Sequence, residues 1–304
     1  MQLNILGGSK ALFMNHKRLF LYLSALLIIF LSVVPSESAD VIIIGDIQLR
    51  PVADIISGIK ETVEDSIKVY PLSEAKGRFR SIAEREEAKV VVALGKDALE
   101  EALKLPTSIA VIYDLVITPP SISRPNTTGF YMATPVREYV DLVKNHFSSI
   151  RRIAVVGSRD LMGLLEAQGP QVASYNVKSS FEVVNAVKQV DSSDAILLLP
   201  DVSLLTATAL EEVYLLSFRK GIPVMGVSEK HVKRGALLAL VFDPVSVGRQ
   251  IGETASNAVS GKDIGNIPPS PPRRFGLHLN TDTAKKMGIN LSAELIRKAK
   301  KLYP

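Results

Sequence analysis

Short apolar runs and amphipathic stretches alternate along this chain from residue 40 onward. Asp40 to Gly45 (DVIIIG) is apolar and breaks at Asp46, and Pro51 to Glu64 follows with Val52, Ile55, Ile56, Ile59 and Val63 on one helical face. The order then repeats. Ile67 to Leu72 predicts a second strand, Ser73 caps a helix running to about Ala88, and Val90 to Leu94 predicts a third strand ending at Gly95. Asp97 to Lys104 reads as helix, Ile109 to Tyr113 as a fourth strand, Thr118 to Thr128 as a Pro- and Ser-rich loop, and Gly129 to Met132 as a short fifth strand. Strand alternating with helix predicts a parallel sheet covered on both faces.

Thr134-Pro135 has the form of a helix N-cap followed by proline at the first helical position. Val136, Tyr139, Val140, Val143 and Phe147 then recur at three and four residues, giving an amphipathic helix. A second sheet is expected from Ile153 to Val156, Val172 to Val177, Ala195 to Leu199, Ile222 to Val227 and Leu237 to Phe242. Corresponding strand ends are separated by 112 residues (Asp46 to Ser158), 105 (Gly95 to Pro200), 114 (Asp114 to Ser228) and 109 (Thr134 to Asp243). A near-constant offset predicts two similar lobes. Thr134-Pro135-Val136 and Asp243-Pro244-Val245 both read as crossovers, with the helix near Val245 packing on the first lobe and a third crossing near Phe275 to Asn280. The expected fold class is α/β, with two Rossmann-like lobes containing parallel sheets. Residues 39–132 plus 244–275 and 133–243 plus 276–304 form the lobes, joined by three strands about which a cleft can hinge shut.

With 304 residues, 47% hydrophobic and 22% charged, the chain can bury substantial cores, which argues against disorder. Residues 1–38 stand apart. Lys17-Arg18 precedes the apolar run Leu19 to Val34, and small residues suited to cleavage follow at Ser38 and Ala39, the pattern of an export signal, with Met14 an alternative start. That run is shorter than the ~20 residues a spanning helix needs, which favours cleavage over a retained anchor. Removing this segment takes away Lys10, Lys17, Arg18 and Glu37 and lowers the formal charge from +5 to +3. Acids and bases alternate (Arg80, Glu84, Arg85, Glu86, Glu87), so the excess does not point to nucleic acid. The densely basic stretch Arg297 to Lys301 is expected late in a helix, where the dipole favours positive charge. Absence of cysteine excludes disulfides, Cys-bound zinc, thiol nucleophiles and an acylated cysteine at the cleavage site.

The common catalytic and nucleotide signatures are missing: no G-x-G-x-x-G after the first strand, no phosphate loop, no H-E-x-x-H and no G-x-S-x-G. His146, His231 and His278 lack ligand spacing, so neither metal nor other cofactor is expected, and no enzymatic activity. In open α/β sheets ligands sit beyond the carboxyl ends of the strands. That rule directs attention to Asp46, Gln48, Gly95, Lys96, Tyr113, Asp114, Asp201, Ser203, Ser228, Glu229 and Asp243. Backbone N–H groups beyond Gly95, helped by Lys96, could hold a carboxylate. Asp114, Glu229 or Asp243 could pair an ammonium, and Tyr113, Tyr131 and Phe242 could form an apolar wall. Plainer roles compete: Asp97, Ser203 and Asp243 as N-caps, Tyr131 and Phe242 as core. Gln48 and Glu229, each just past an apolar strand with no capping role in view, carry the strongest expectation.

Several stretches together resemble the ABC-transporter substrate-binding proteins of the type I periplasmic-binding-protein fold, in the branch whose solved members hold aromatic amino acids. They are VVVALGKDALEEAL (Val90 to Leu103), ISRPNTTGF (Ile122 to Phe130), DAILLLPD (Asp194 to Asp201), the run from Gly221 to Lys262, and the tail Phe275 to Tyr303, which resembles the family's strand and final helix. The chain departs from the family where Lys96-Asp97 replaces a small polar residue and proline, and where Leu115 to Pro120 replaces an Asp-Pro-containing loop. The resemblance implies a soluble, monomeric periplasmic protein that closes over a small polar or amino-acid-like ligand and presents it to an ABC permease in the inner membrane. A different class shares the fold: an extracytoplasmic sensory domain that presents its closed state to a membrane signalling partner. N-terminal sequencing of the exported protein is expected to begin close to Ala39; a start upstream of Leu19 would show a retained anchor.

Overall fold

The computed structural model describes residues 38–121, 124–190 and 194–304; the expected export signal lies outside the described residues. Two sheets account for the strands among the described residues. The first contains β1 (Val41–Gly45), β2 (Ile67–Pro71), β3 (Val90–Leu94), β4 (Ala110–Val116) and β5 (Thr127–Tyr131), in the spatial order β2-β1-β3-β4-β5, with every pair parallel. The second contains β6 (Arg152–Gly157), β7 (Val172–Asn176), β8 (Asp194–Leu198), β9 (Val224–Gly226) and β10 (Leu238–Phe242), ordered β7-β6-β8-β9-β10. Each half thus repeats one doubly wound order. Beyond β10 the second sheet gains β11 (Phe275–Asn280), antiparallel to β10, and β12 (Ala299–Tyr303), parallel to β11. The near-continuous burial of β1, β3 and β8 reflects helices on both faces.

Local chemistry sets several boundaries differently from expectation. The single helix expected from Ser73 to Ala88 is two, α2 (Leu72–Ala75) and α3 (Phe79–Arg85), because the chain turns at Gly77 with φ 78°; Ser73 lies inside the first and caps neither. Before α5 (Val136–His146), Thr134 turns inward and its hydroxyl donates to the Leu240 carbonyl at 3.4 Å, so it does not cap. Ser203 is not a cap either, since α8 (Ala207–Lys220) starts later and is capped by Thr206. At the tail, α12 (Ala293–Lys298) ends where Ala299 turns extended, and Lys300 and Lys301 belong to β12 rather than to a helix. Phe275 to Asn280 lies within the second sheet, so the third passage between sheets falls earlier, over residues 260–274, where Thr128 Oγ1 donates to the Ile267 carbonyl at 2.8 Å.

The junction after β10 forms as its residues dictate. Asp243 accepts from the Ser246 amide at 3.1 Å and Pro244 occupies the first turn, starting α10 (Pro244–Val259). This helix packs against α1 (Arg50–Lys60), although the strand before it belongs to the second sheet. Val52, Ile55 and Ile59 share a core with Val247, Ile251 and Ala255. The backbones approach so closely that a Cβ at Gly58 would lie 2.1 Å from the Val245 carbonyl oxygen, and one at Gly248 2.1 Å from that of Ile55. At Gly252 the nearest atom is instead a side-chain oxygen, Thr62 Oγ1, 1.9 Å from its Cβ position. Arg249 and Glu61 close the exposed edge of the contact at 2.7 Å.

Because the clashing atoms are backbone, they cannot yield by changing rotamer. Gly58→Ala and Gly248→Ala are each expected to destabilise the protein by about 1–3 kcal/mol or more in denaturant unfolding. Gly163→Ala, in α6 (Arg159–Leu164) with open space at its Cβ position, should be neutral or slightly stabilising. Equal stability of all three variants would show that α1 and α10 separate without cost.

Candidate functional site

In the order β2-β1-β3 the chain reverses direction of winding between β1 and β3, and in β7-β6-β8 it does so between β6 and β8, so the crevice in each half opens at those carboxyl ends. The sequence places Asp46 and Gln48 after β1, Gly95 and Lys96 after β3, Ser158 after β6, and Asp201 and Ser203 after β8. Asp46 and Gln48 line one recess of about 420 Å³ with the start of α2, and the Gln48 amide donates to Asp46 Oδ1 at 3.3 Å, a local turn that leaves the Gln48 side chain exposed. Gly95, with φ 102°, has the backbone freedom to turn β3 directly into α4 (Lys96–Ala102). Lys96 lines a second recess of about 560 Å³ beneath the connection Leu115 to Ser121.

That connection also delimits a third recess, of about 280 Å³, in which Ile117 from the first half faces Pro200, Asp201, Val202 and Leu205 after β8 and Val227 and Ser228 after β9. Asp201 is held by its own half: Oδ1 accepts from the Ser203 amide at 3.0 Å and the Ser203 hydroxyl at 2.6 Å. Burial opposes its charge, but hydrogen bonds from Ser203 and Ser158 outweigh burial and keep the carboxyl below its ordinary range. Ser228 caps the single-turn helix α9 (Glu229–Lys233), accepting from the His231 amide at 3.3 Å. Gly226, having no Cβ, lets His231 lie against the end of β9, and the His231 Nδ1 accepts from the Val227 amide at 3.3 Å, which puts the ring proton on Nε2. Desolvation first, then the charges of Arg234 and Lys230, hold its pKa down to about 4, so it is neutral at pH 7. Lys230 and Arg234 line the same recess. These three side chains and Ile117 were not among the residues singled out as a ligand site from the sequence; their signal was only that one turn of helix follows β9 at once.

The profile of the family described as "ABC transporter substrate binding protein" matches residues 86–303. The chain belongs to that family. The solved structures similar to this substrate-binding protein include a ligand-free, open substrate-binding protein with adhesive properties from Clostridium difficile (16% identical, TM-score 0.65, covering 87% of this chain and 99% of that one). Another is a domain in complex with L-Trp from Streptococcus pneumonia (17% identical, TM-score 0.53, covering 86% and 99%). A curated relative, a tyrosine-binding protein of Clostridioides difficile strain R20291, is 22% identical over 231 residues, covering 70% of this chain and 67% of the relative. At these identities the solved structures show the two-lobe α/β fold of type I periplasmic binding proteins.

The remaining sequence-predicted residues of this substrate-binding protein are engaged within the fold. Glu229 pairs with Lys233 at 2.7 Å and with Lys301 of β12 at 2.9 Å, and hydrogen bonds from Lys233 first and Lys301 next bring its pKa down to about 2. Asp243 caps α10 and also pairs with Lys300, which holds its carboxyl below the ordinary range. It does not meet Asp114 as a carboxylate pair among the described hydrogen bonds. Tyr113 is buried with its ring over Gly129 of β5, and burial pushes its hydroxyl, which has no partner among the described residues, up to about 12. Tyr131 is likewise buried, in the second half's core, and Phe242 packs partly against the first half's core.

Asp114 is wholly buried, and neither of its carboxyl oxygens has a hydrogen-bond partner among the described residues. Desolvation raises its pKa to about 7; the Leu115 amide opposes that shift without reaching hydrogen-bonding geometry. The folded pKa lies above the unfolded one, so between about pH 4 and pH 7 the unfolded chain has released a proton that the folded protein keeps, and stability falls as pH rises through that window. Asp114→Asn removes the titration. Its advantage over the wild type in urea unfolding is expected to grow from pH 4.5 to pH 7.5, by on the order of a few kcal/mol. An advantage independent of pH would show that Asp114 gains a partner or remains ionised.

Proposed function

We propose that this substrate-binding protein is the solute-binding component of an ABC import system outside the cytoplasm, trapping a small polar or amino-acid-like ligand between its two halves and handing it to a permease. The lobes in this reading are residues 39–132 plus 244–275 and 133–243 plus 276–304. Support comes chiefly from one observation: the recess beyond β8 and β9 is closed on its other side by Ile117, a residue of the opposite half. A ligand seated there touches both halves and so binds the closed arrangement better than the open one, which is what closure requires. Asp46, Gln48, Lys96, Asp201, Ser203 and Ser228 are the polar groups around the crevices; Gly95 supplies a backbone turn. Glu229 and Asp243 act as supports, through Lys301 and Lys300. Relatives described as binding tyrosine and in complex with L-Trp make amino acids the first compounds to try.

A thermal-shift screen over amino acids, including L-tyrosine and L-tryptophan, and small carboxylates tests the reading. A true ligand at about 100 times its dissociation constant adds about 2.7 kcal/mol. The shift should shrink in Asp201→Ala and in Ile117→Ser, one variant on each half. Absence of a shift with every compound would count against ligand trapping itself.

A further inference from the structure

Ile117 lines two recesses at once. It borders the recess of about 280 Å³ beyond β8 and β9, and also the recess of about 560 Å³ beneath Leu115 to Ser121. The first holds both signs of charge, Asp201 as an ionised carboxylate together with the cations Lys230 and Arg234, and has Val202, Leu205 and Val227 as apolar lining. The second is larger, and Leu99, Leu103, Leu115 and Val116 give it an apolar lining of its own. Three consecutive side chains pin the segment between them. Leu115 packs against the core shared by α1 and α10, Val116 is buried in the core on the other face of the same sheet, and Ile117 packs against the core of the second half. The Val116 carbonyl accepts from the Met132 amide at 2.7 Å, and Pro119-Pro120 restricts the backbone just beyond. β-Branching leaves the Ile117 side chain few rotamers, so it stands as a wall and not as a loose flap.

We propose that Ile117 is a partition that sets the length of the ligand. An amino acid held through its charged groups by Asp201, Lys230 and Arg234 extends its side chain along Val202 and Leu205 as far as Ile117, and the larger recess is opened to it only when residue 117 is smaller. This rests on the ligand-trapping reading above and assigns a specificity limit of that site to one residue. A chain that stops short of Ile117 gains from being covered by it, each buried methylene adding to affinity. One that overruns Ile117 must displace a side chain seated against the second half's core, and loses that gain.

A series of amino acids with unbranched side chains tests the proposal: L-norvaline, L-norleucine, L-2-aminooctanoate and L-2-aminodecanoate, by titration calorimetry on the exported wild type and on Ile117→Ala. In the wild type affinity should rise at the short end of the series and fall by L-2-aminodecanoate. Ile117→Ala should reverse that order, binding L-2-aminodecanoate about tenfold more tightly than the wild type does and L-norvaline about fourfold more weakly, as gain of roughly two buried methylenes and loss of one require. Ile117→Val, which removes a single methyl group, should shift both probes in the same senses by smaller factors, and it decides the matter where the alanine variant does not fold. Affinity that climbs through the whole wild-type series overturns the proposal, because nothing then limits length. Equal weakening of every probe in the variants also overturns it, since a side chain that merely covers the ligand or supports the fold acts alike on short and long chains; so does a variant that leaves the long probe no tighter. Failure of all four probes while another compound in the thermal-shift screen binds overturns the proposal and leaves ligand trapping intact. Failure of every compound in both experiments removes ligand trapping as well.

Discussion

The contact between α1 and α10 determines how the chain can be arranged. α10 follows a strand of the second sheet, yet its apolar face completes the core of the first. Gly58 and Gly248 permit this by letting the helices approach until peptide groups nearly touch, at distances no side chain could occupy. Close approach of backbones maximises dispersion contacts and fixes the rotation of one helix about the other, because only one register aligns glycine with carbonyl. The passage from β10 into α10 therefore has little freedom, and its cap, Asp243, is tied in addition to Lys300 of the last strand.

Much of this architecture was legible because it depends on local signals. β3 occupies the span predicted from its β-branched run, Val90–Leu94, and the Asp243-Pro244 junction forms as its residue types require. The related Thr134-Pro135 motif does not cap its helix, since Thr134 is buried and its hydroxyl meets Leu240, more than 100 residues away. The tail shows the same limit. Helical spacing and clustered basic residues suggest a helix through Lys301, but the open edge of β11 and the acids Asp243 and Glu229 draw Lys300 and Lys301 into a strand. Pairing across 57 and 72 residues leaves no periodic trace in a single sequence.

The candidate site divides along the same line. Alternation of strand and helix makes the carboxyl ends of the strands legible, so Asp46, Lys96 and Asp201 could be named from the sequence, whereas the strand order that singles out β1, β3, β6 and β8 is set by tertiary pairing. Which of these groups remain available to a ligand depends on long-range partners. Glu229 looked available because it lies just past an apolar strand with no capping role in view; the structure surrounds it with Lys233 and Lys301. Ile117 looked like part of an irregular loop, and becomes notable only because its connection reaches the opposite half.

Closure of a two-lobe protein needs an interaction that exists in one arrangement and not the other; tight binding to one half alone shifts nothing. In the Ile117 recess the charged groups all belong to the second half, and the first half contributes an aliphatic side chain. Polar recognition would then occur without closure, while the preference for the closed state would come from covering the apolar body of the ligand with Ile117. Buried apolar area contributes about 25 cal/mol per Å², so a larger apolar body strengthens closure as well as affinity, whereas a small, fully polar ligand would be bound by the second half and leave the first indifferent. Selection for charge and selection for closure are thus assigned to different residues, and a ligand must satisfy both.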